Sequence, residues 1–237
     1  MAGHSKWANI KFRKGAQDAK RGKIFTKLIR EITTAARLGG AEESSNPTLR
    51  DAITKALKSN MKRDTIENAI KRGVGNNDDA QMVEMTYEGY GPGGVAVLVK
   101  CLSDNKNRTV SEVRHAFTKH GGNLGADGSV AYLFQHLGEI IITDPSSWNN
   151  ATELAINHDA LDIKEHDDAL EIITNVDEYH NMLHVLHENN IAVEHSELTM
   201  QPLNFAAPTD EIAEKVNKMI DALEDLDDVQ TVYTNLP

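Results

Sequence analysis

The sequence of 237 residues has one cysteine, and no apolar run approaches the length of about eighteen residues that a membrane-spanning helix needs. A single cysteine excludes an intramolecular disulfide framework and a cysteine-based zinc site. Because Cys101 follows a β-like apolar run, we expect a small buried hydrophobic residue rather than a catalytic thiol. The first ten residues also lack the apolar core of a signal peptide. These absences predict a cytoplasmic protein with no membrane partner.

Motifs for nucleotide binding and catalysis are also lacking. Residues 89–94 match G-x-G-x-x-G, but the segment that follows, VAVLVKC, reads as a strand, whereas a dinucleotide site needs a helix there. We therefore interpret the match as a hairpin turn. Gly22-Lys23 resembles the end of a P-loop, but Gln17 and Ile24 stand where glycine and Ser or Thr are needed. The sequence contains no nucleophile elbow and no catalytic carboxylate pair that a motif identifies. We therefore expect that the protein is not an enzyme and has no catalytic residue and no cofactor.

Two groups of side chains have a weak resemblance to metal sites. His180, His184 and His187 are spaced for one face of a predicted helix, which could hold a metal, but no further ligand can be assigned beside them. The acidic residues 224–228 lack the spacing and the glycine of an EF-hand loop. We interpret the first group as a histidine-rich surface and the second as solvated charge, so no metal site is predicted.

Positive charge is scarce in most of the chain and concentrated at its beginning. The whole sequence has a net charge of −11, yet residues 1–73 contain 17 Lys or Arg and 7 Asp or Glu, a net charge of +10. Residues 74–237 have a net charge of −21. This separation predicts a basic module that meets a polyanion and is carried on an acidic body.

The basic segment contains an amphipathic helix. From Lys20 to Arg37, apolar residues recur at steps of three and four, and the lysines and arginines fall on the opposite side. Lysine and arginine neutralise phosphates, and Trp7 could stack on an unpaired base or pack on the protein. The predicted nucleic-acid-binding residues are Lys6, Trp7, Lys11, Arg13, Lys14, Lys20, Arg21, Lys23, Lys27 and Arg30. We expect reversal of the charges at Lys20, Lys23, Lys27 and Arg30 to abolish binding and to leave the fold intact.

Further along the chain the periodicity predicts an α+β protein of split β-α-β character. A second helix begins at Asn46-Pro47, and a third begins near Asp64, where Asp64 and Glu67 resemble a capping box. After a linker, short strands alternate with helices. The predicted strands include GSVAYLF (residues 128–134), and the chain closes with a helix, an acidic turn and a short strand.

Several long segments resemble the YebC/PmpR family, in order and over nearly the whole chain. They are AGHSKWANIKFRKGAQDAKRGKIFTKLIREI, NPTLRDAI, YEGYGPGGVAV, NRTVSEVRHAFTKHGGNLG, GSVAYLF and DDVQTVYTN. Two positions depart from the family pattern: Arg13 stands where histidine is usual, and Lys62 stands where proline is usual. Both changes add positive charge, and Lys62 is expected to loosen the turn before the third helix.

The resemblance implies a fold and a choice of functions. It implies a helical N-terminal domain (residues 1–75), a discontinuous middle α/β domain (80–134 plus 203–237) and an inserted α/β domain (135–202). Family members are described as DNA-binding transcriptional regulators, and others act in translation, some as ribosome-associated factors that relieve stalling at proline-rich sequences. The implied partner is therefore DNA or ribosomal RNA, with a protein partner for the acidic domains left open. We expect a monomer.

Overall fold

A computed structural model describes residues 21–75 and 82–237 of the chain. This part contains seven α-helices and eight β-strands, which form two separate four-stranded sheets. The prediction of a multidomain α+β fold is confirmed. The chain divides into two compact units, one of residues 133–204 and one that combines the segments on either side of it. We call the second the composite unit (described residues 21–75, 82–132 and 205–237). The three-domain division stays a prediction.

Three helices begin the composite unit and share a core of their own. Their apolar faces bury Ile32, Leu49 and Ala69 among other residues. At the crossing of the first and third helices, a side chain on Gly73 would collide with the carbonyl oxygen of Thr33, so only glycine permits this close approach. The helices are α1 (Arg21–Gly39), α2 (Pro47–Lys58) and α3 (Arg63–Val74).

The beginnings of α2 and α3 illustrate one confirmed prediction and one error. The side-chain oxygen of Asn46 accepts a hydrogen bond from the Leu49 amide at 3.1 Å, as an N-cap should. Its amide nitrogen also donates to the carbonyl of Ala35 in the last turns of α1, at 2.9 Å. The prediction of a capping box at Asp64 was wrong, because α3 begins at Arg63 with Lys62 as its N-cap and has no hydrogen bond from a capping side chain. Lys62 has φ −69° and ψ 141°, which proline would also adopt, so the turn keeps the geometry expected of proline.

An antiparallel sheet forms the rest of the composite unit. Its strand order is β3-β1-β2-β8, so that β2 has β1 on one side and the C-terminal strand on the other. Two helices pack on one face and bury Val99, Phe117, Met219 and Val232. The elements are β1 (Val83–Tyr90), β2 (Ala96–Ser103), α4 (Lys106–Lys119), β3 (Asn123–Leu124), α7 (Asp210–Glu224) and β8 (Val229–Thr234).

The glycine-rich segment between β1 and β2 is the hairpin turn that the sequence predicts. The Gly91 amide donates to the Val95 carbonyl at 2.8 Å, and Gly93 has φ 71°, in the left-handed region. A side chain on Gly93 would also lie 2.7 Å from Ile212 of α7. The glycines therefore serve the turn and its packing on α7, and β2 follows directly.

Residues 133–204 form a self-contained β-α-β-β-α-β unit. The strand order β5-β6-β4-β7 with antiparallel neighbours is the split β-α-β arrangement. Its core buries Ile140, Ile172, Met182 and Leu186 between the sheet and the helices. The elements are β4 (Phe134–Ile142), α5 (Trp148–Asn157), β5 (Asp162–Glu165), β6 (Leu170–Thr174), α6 (Val176–Glu188) and β7 (His195–Pro202).

The predicted strand over residues 128–134 is not formed, except that Phe134 begins β4. The buried carboxylate of Glu88 accepts hydrogen bonds from the amides of Gly128, Val130 and Ala131, each at 2.7 Å. Amides that bond to a carboxylate cannot pair with a neighbouring strand. The segment is instead a loop that ends in a short 3₁₀ turn, and its alternation of residue types was misleading.

Candidate functional site

The predicted nucleic-acid-binding residues fall into two sets. Lys6, Trp7, Lys11, Arg13, Lys14 and Lys20 lie outside the described residues, and Arg21 is described only as the first residue of α1. Lys23, Lys27 and Arg30 lie in α1, and we call these three the α1 cations. Phosphate binding by any of these residues stays a prediction.

The α1 cations share one face of the helix. Their spacing of four and three residues places them in line, while Ile32 and Ala36 on another face are fully buried in the helical core. The predicted amphipathic helix is therefore confirmed. Its basic face does not point freely into solvent, because it contacts the C-terminal end of α7.

Each of the α1 cations donates a hydrogen bond to a backbone carbonyl of the acidic turn, which we define as residues 224–228. Lys23 Nζ donates to the Asp225 carbonyl at 2.9 Å, and Lys27 Nζ donates to the Glu224 carbonyl at 2.7 Å. Arg30 Nη1 donates to the Asp227 carbonyl at 2.7 Å. The Asp225 carboxylate also lies 3.9 Å from Lys23 Nζ. The three cations along α1 are thus spaced to reach three backbone carbonyls of the acidic turn.

Helix electrostatics account for this docking. The last carbonyls of an α-helix have no partner within the helix, and the helix dipole adds a partial negative charge at that end. The last turn of α7 contains no basic residue of its own. Cations of α1 supply the charge and the hydrogen-bond donors that the end of α7 requires, although they lie about 200 positions earlier in the sequence.

Asp228 is the most buried acid of the turn and joins four elements. Its side chain is 3% exposed and accepts hydrogen bonds from Arg30 Nη1 at 3.1 Å and from Arg108 Nη2 at 2.9 Å. The hydroxyls of Ser103 and Thr109 donate to it at 2.9 and 2.8 Å. The carboxylate therefore connects α1, the end of β2, the first turn of α4 and the beginning of β8.

The surroundings shift the ionisation of three nearby groups. Burial would raise the pKa of Asp228, but hydrogen bonds from Thr109, Arg108 and Ser103 outweigh burial and hold the pKa below its ordinary value. Burial lowers the pKa of Lys27, and the carboxylate of Glu224 opposes this only in part. Burial also raises the pKa of Cys101 to about 12, with Asp228 as a smaller cause. The thiol is therefore a protonated core group, as predicted, and not a nucleophile.

Two expectations from the sequence need correction. The acidic residues 224–228 are not uniformly solvated charge, because Asp228 is buried and fully engaged. Nor would charge reversal at the α1 cations leave the fold undisturbed, since it would place glutamates against carbonyl oxygens and against Asp228. The sequence did contain one signal for Asp228, which directly precedes the buried Val229 of β8.

The other candidate residues do not converge on a site. His184 and His187 are exposed on α6, and His184 Nδ1 lies 3.3 Å from Glu188 of the next turn. His180 stacks edge-on against Tyr179. Within residues 21–75 and 82–237, no three His, Cys, Asp or Glu side chains are grouped as metal ligands.

Comparison with known proteins identifies relatives over almost the entire chain. Residues 5–76 match the family model of the TACO1/YebC protein N-terminal domain, and residues 82–236 match that of the TACO1/YebC second and third domain. A protein of Legionella pneumophila (strain Paris) is 64% identical over 99% of this chain and 95% of its own. One of Alcanivorax borkumensis is 56% identical over 99% and 96%. Both are named "Probable transcriptional regulatory protein".

One solved structure has a similar fold over most of the chain. The crystal structure of a conserved hypothetical protein from Aquifex aeolicus superposes with a TM-score of 0.83 and 46% sequence identity, covering 93% of this chain and 91% of that one. Among the helices that the structure describes, none is both long and apolar enough to cross a membrane.

Proposed function

The chain belongs to the TACO1/YebC family, and on that premise we propose that it is a nucleic-acid-binding regulator of gene expression that acts on DNA. The relatives named as probable transcriptional regulatory proteins support regulation. The observation that carries the nucleic-acid part is the separation of charge, +10 over residues 1–73 and −21 over the remainder. In this proposal the protein is a cytoplasmic monomer that performs no catalysis and needs no cofactor.

The docking of α1 narrows the surface that is proposed to bind phosphates. Since the α1 cations donate to the acidic turn, the first contacts are assigned to the basic residues before them. These are Lys6, Lys11, Arg13, Lys14, Lys20 and Arg21, with Trp7 as a stacking group. Six phosphate contacts on duplex DNA would give a salt slope of roughly −5 in log K against log salt concentration.

Fluorescence anisotropy with a labelled 20-base-pair duplex tests this assignment. The variant K6Q/K11Q/R13Q/K14Q should lose about 10²-fold or more in affinity at moderate salt and show a shallower salt slope. A matched control, K62Q/R63Q/K71Q/R72Q, removes four charges at exposed positions at the two ends of α3. Equal losses in the two variants would contradict the assignment, and no binding by the wild-type protein would contradict the proposed function.

A second candidate function is translation, with ribosomal RNA as the polyanion. The observation in its favour is the strongly acidic composition of residues 74–237, which opposes wrapping along duplex DNA but permits a basic end to enter an RNA pocket. Sedimentation of cell lysate distinguishes the two. Salt-sensitive co-migration with ribosomes would favour translation, whereas a reproducible genomic footprint without a ribosomal pool would favour transcription.

A further inference from the structure

We propose that the acidic turn is an intrachain competitor of nucleic acid for the α1 cations, so that the protein has a closed state with weak binding and an open state with strong binding. The inference rests on the proposed function. It assigns to residues 224–228 the role of regulating the access of nucleic acid to the α1 cations.

The acidic turn presents oxygens to α1 much as a phosphate backbone would. Carbonyl oxygens of Glu224, Asp225 and Asp227 accept hydrogen bonds of 2.7–2.9 Å from three successive cations of one helix face. Four of the five residues of the turn are acidic. A row of anionic and partly negative oxygens at hydrogen-bond distance is also what a nucleic-acid strand offers to lysine and arginine.

Occupation of the same donors makes the two partners exclusive. Arg30 Nη1 lies within 3.1 Å of both the Asp227 carbonyl and the Asp228 carboxylate. Lys27 is half-buried against the turn, so its ammonium group has little access to a second anion. A phosphate must displace the turn to reach these two groups. Lys23 is about half exposed, which makes it the position where an incoming strand can begin to compete.

The turn can be released without leaving a buried charge unpaired. If Arg30 withdraws, Asp228 keeps its hydrogen bonds from Arg108, Ser103 and Thr109. The carbonyls of Glu224 and Asp225 lie at a helix end, where water can replace a lysine. The open state therefore costs no orphaned carboxylate, which distinguishes this contact from a permanent buried ion pair.

A pair of double variants tests the competition. D225N/D227N removes two exposed charges of the acidic turn, and E211Q/E214Q removes two exposed charges of α7 that pair with Lys215 and Lys218 instead. The net charge changes equally in both. We expect D225N/D227N to bind the 20-base-pair duplex about fivefold more tightly than the wild type, and E211Q/E214Q to change the affinity less than twofold.

The outcomes separate this inference from the proposed function. The wild type could bind the duplex while the two variants change the affinity equally, or not at all. That result would overturn the competition and leave the proposed function standing. Tighter binding by D225N/D227N than by the wild type and by E211Q/E214Q would support both. No binding by any of the three proteins would overturn both.

A covalent lock provides a second measurement on the same surface. In K23C/D225C, a short bis-maleimide should link the two cysteines selectively, because the native Cys101 is buried and its pKa is raised to about 12. The linked protein should bind the duplex at least about fivefold more weakly than the same protein before linking. Equal affinity before and after linking would show that the turn does not need to leave, and would overturn the inference.

Discussion

Glu88 and Asp228 are both buried carboxylates of the composite unit, and their partners differ in kind. Glu88 is held by three backbone amides of one loop, each at 2.7 Å. Asp228 is held by side chains that come from α1, β2 and α4. In each case hydrogen bonds outweigh the cost of burial and keep the pKa of the carboxyl below its ordinary value.

The difference teaches which contacts of this fold can be exchanged. Backbone amides have a fixed position once the loop is formed, so Glu88 allows one arrangement of residues 128–131. Long side chains can rotate away and be replaced, so the Asp228 cluster can lose Arg30 and remain satisfied. We therefore expect Glu88 to specify a loop and Asp228 to connect elements that can separate.

The largest effect should follow truncation of Asp228. Asp228→Ala leaves Arg30 and Arg108 without their shared anion and should lower the free energy of unfolding by about 3 kcal/mol. Urea denaturation measures this. Asp221→Ala, at an exposed position of α7, is the control and should stay within about 0.5 kcal/mol of the wild type. Equal urea midpoints for the two variants would contradict the claim that Asp228 joins these elements.

Truncation of Glu88 should have a smaller and more local effect. Glu88→Ala deprives three amides of their acceptor and should cost about 2 kcal/mol. Hydrogen exchange should accelerate at Gly128, Val130 and Ala131 but not in α1. The exposed Glu84 of the same strand provides a matched control. If exchange also accelerated throughout α1, the contrast between a local and a connecting carboxylate would fail.

A fall in pH should reduce the stabilisation of the folded state that each of the two carboxylates contributes. Their folded-state pKa values lie below the unfolded ones, so their stabilisation is complete above the ordinary carboxyl pKa values and is lost as pH falls through the folded values. In unfolding experiments from pH 6 to pH 2, Asp228→Asn and Glu88→Gln should each flatten this loss. A variant with the same acid limb as the wild type would show that its carboxyl has no depressed pKa.

The smallest effect belongs to the solvent-exposed pairs of α7. Lys218 Nζ lies 2.7 Å from Glu214 Oε1, yet both side chains are more than 60% exposed. A double-mutant cycle on this pair should give a coupling energy below about 0.5 kcal/mol. The same cycle on Arg30 and Asp228 should give about 1–2 kcal/mol. Reversal of that order would mean that burial does not decide the value of charge pairs in this protein.

The sequence predicted the elements better than their contacts. Periodicity located α1, and Asn46-Pro47 located α2, because amphipathic spacing and capping are local properties. Local pattern failed at residues 128–134, where a carboxylate some forty positions away takes the amides. Nor could it reveal that the α1 cations contact the acidic turn, since a basic helix face looks the same in sequence whether it meets a nucleic acid or the end of a distant helix.

Because the chain is synthesised from its N-terminus, the contact between α1 and α7 can form only late in synthesis. Lys23 and its acceptor at Asp225 are 202 positions apart, and β8 must follow before the sheet of the composite unit is complete. At ordinary rates of synthesis, α1 emerges roughly 10–40 s before its partner. Residues 133–204 can finish their own sheet within that interval. During its synthesis the protein therefore exposes a basic helix whose internal counter-charge does not yet exist.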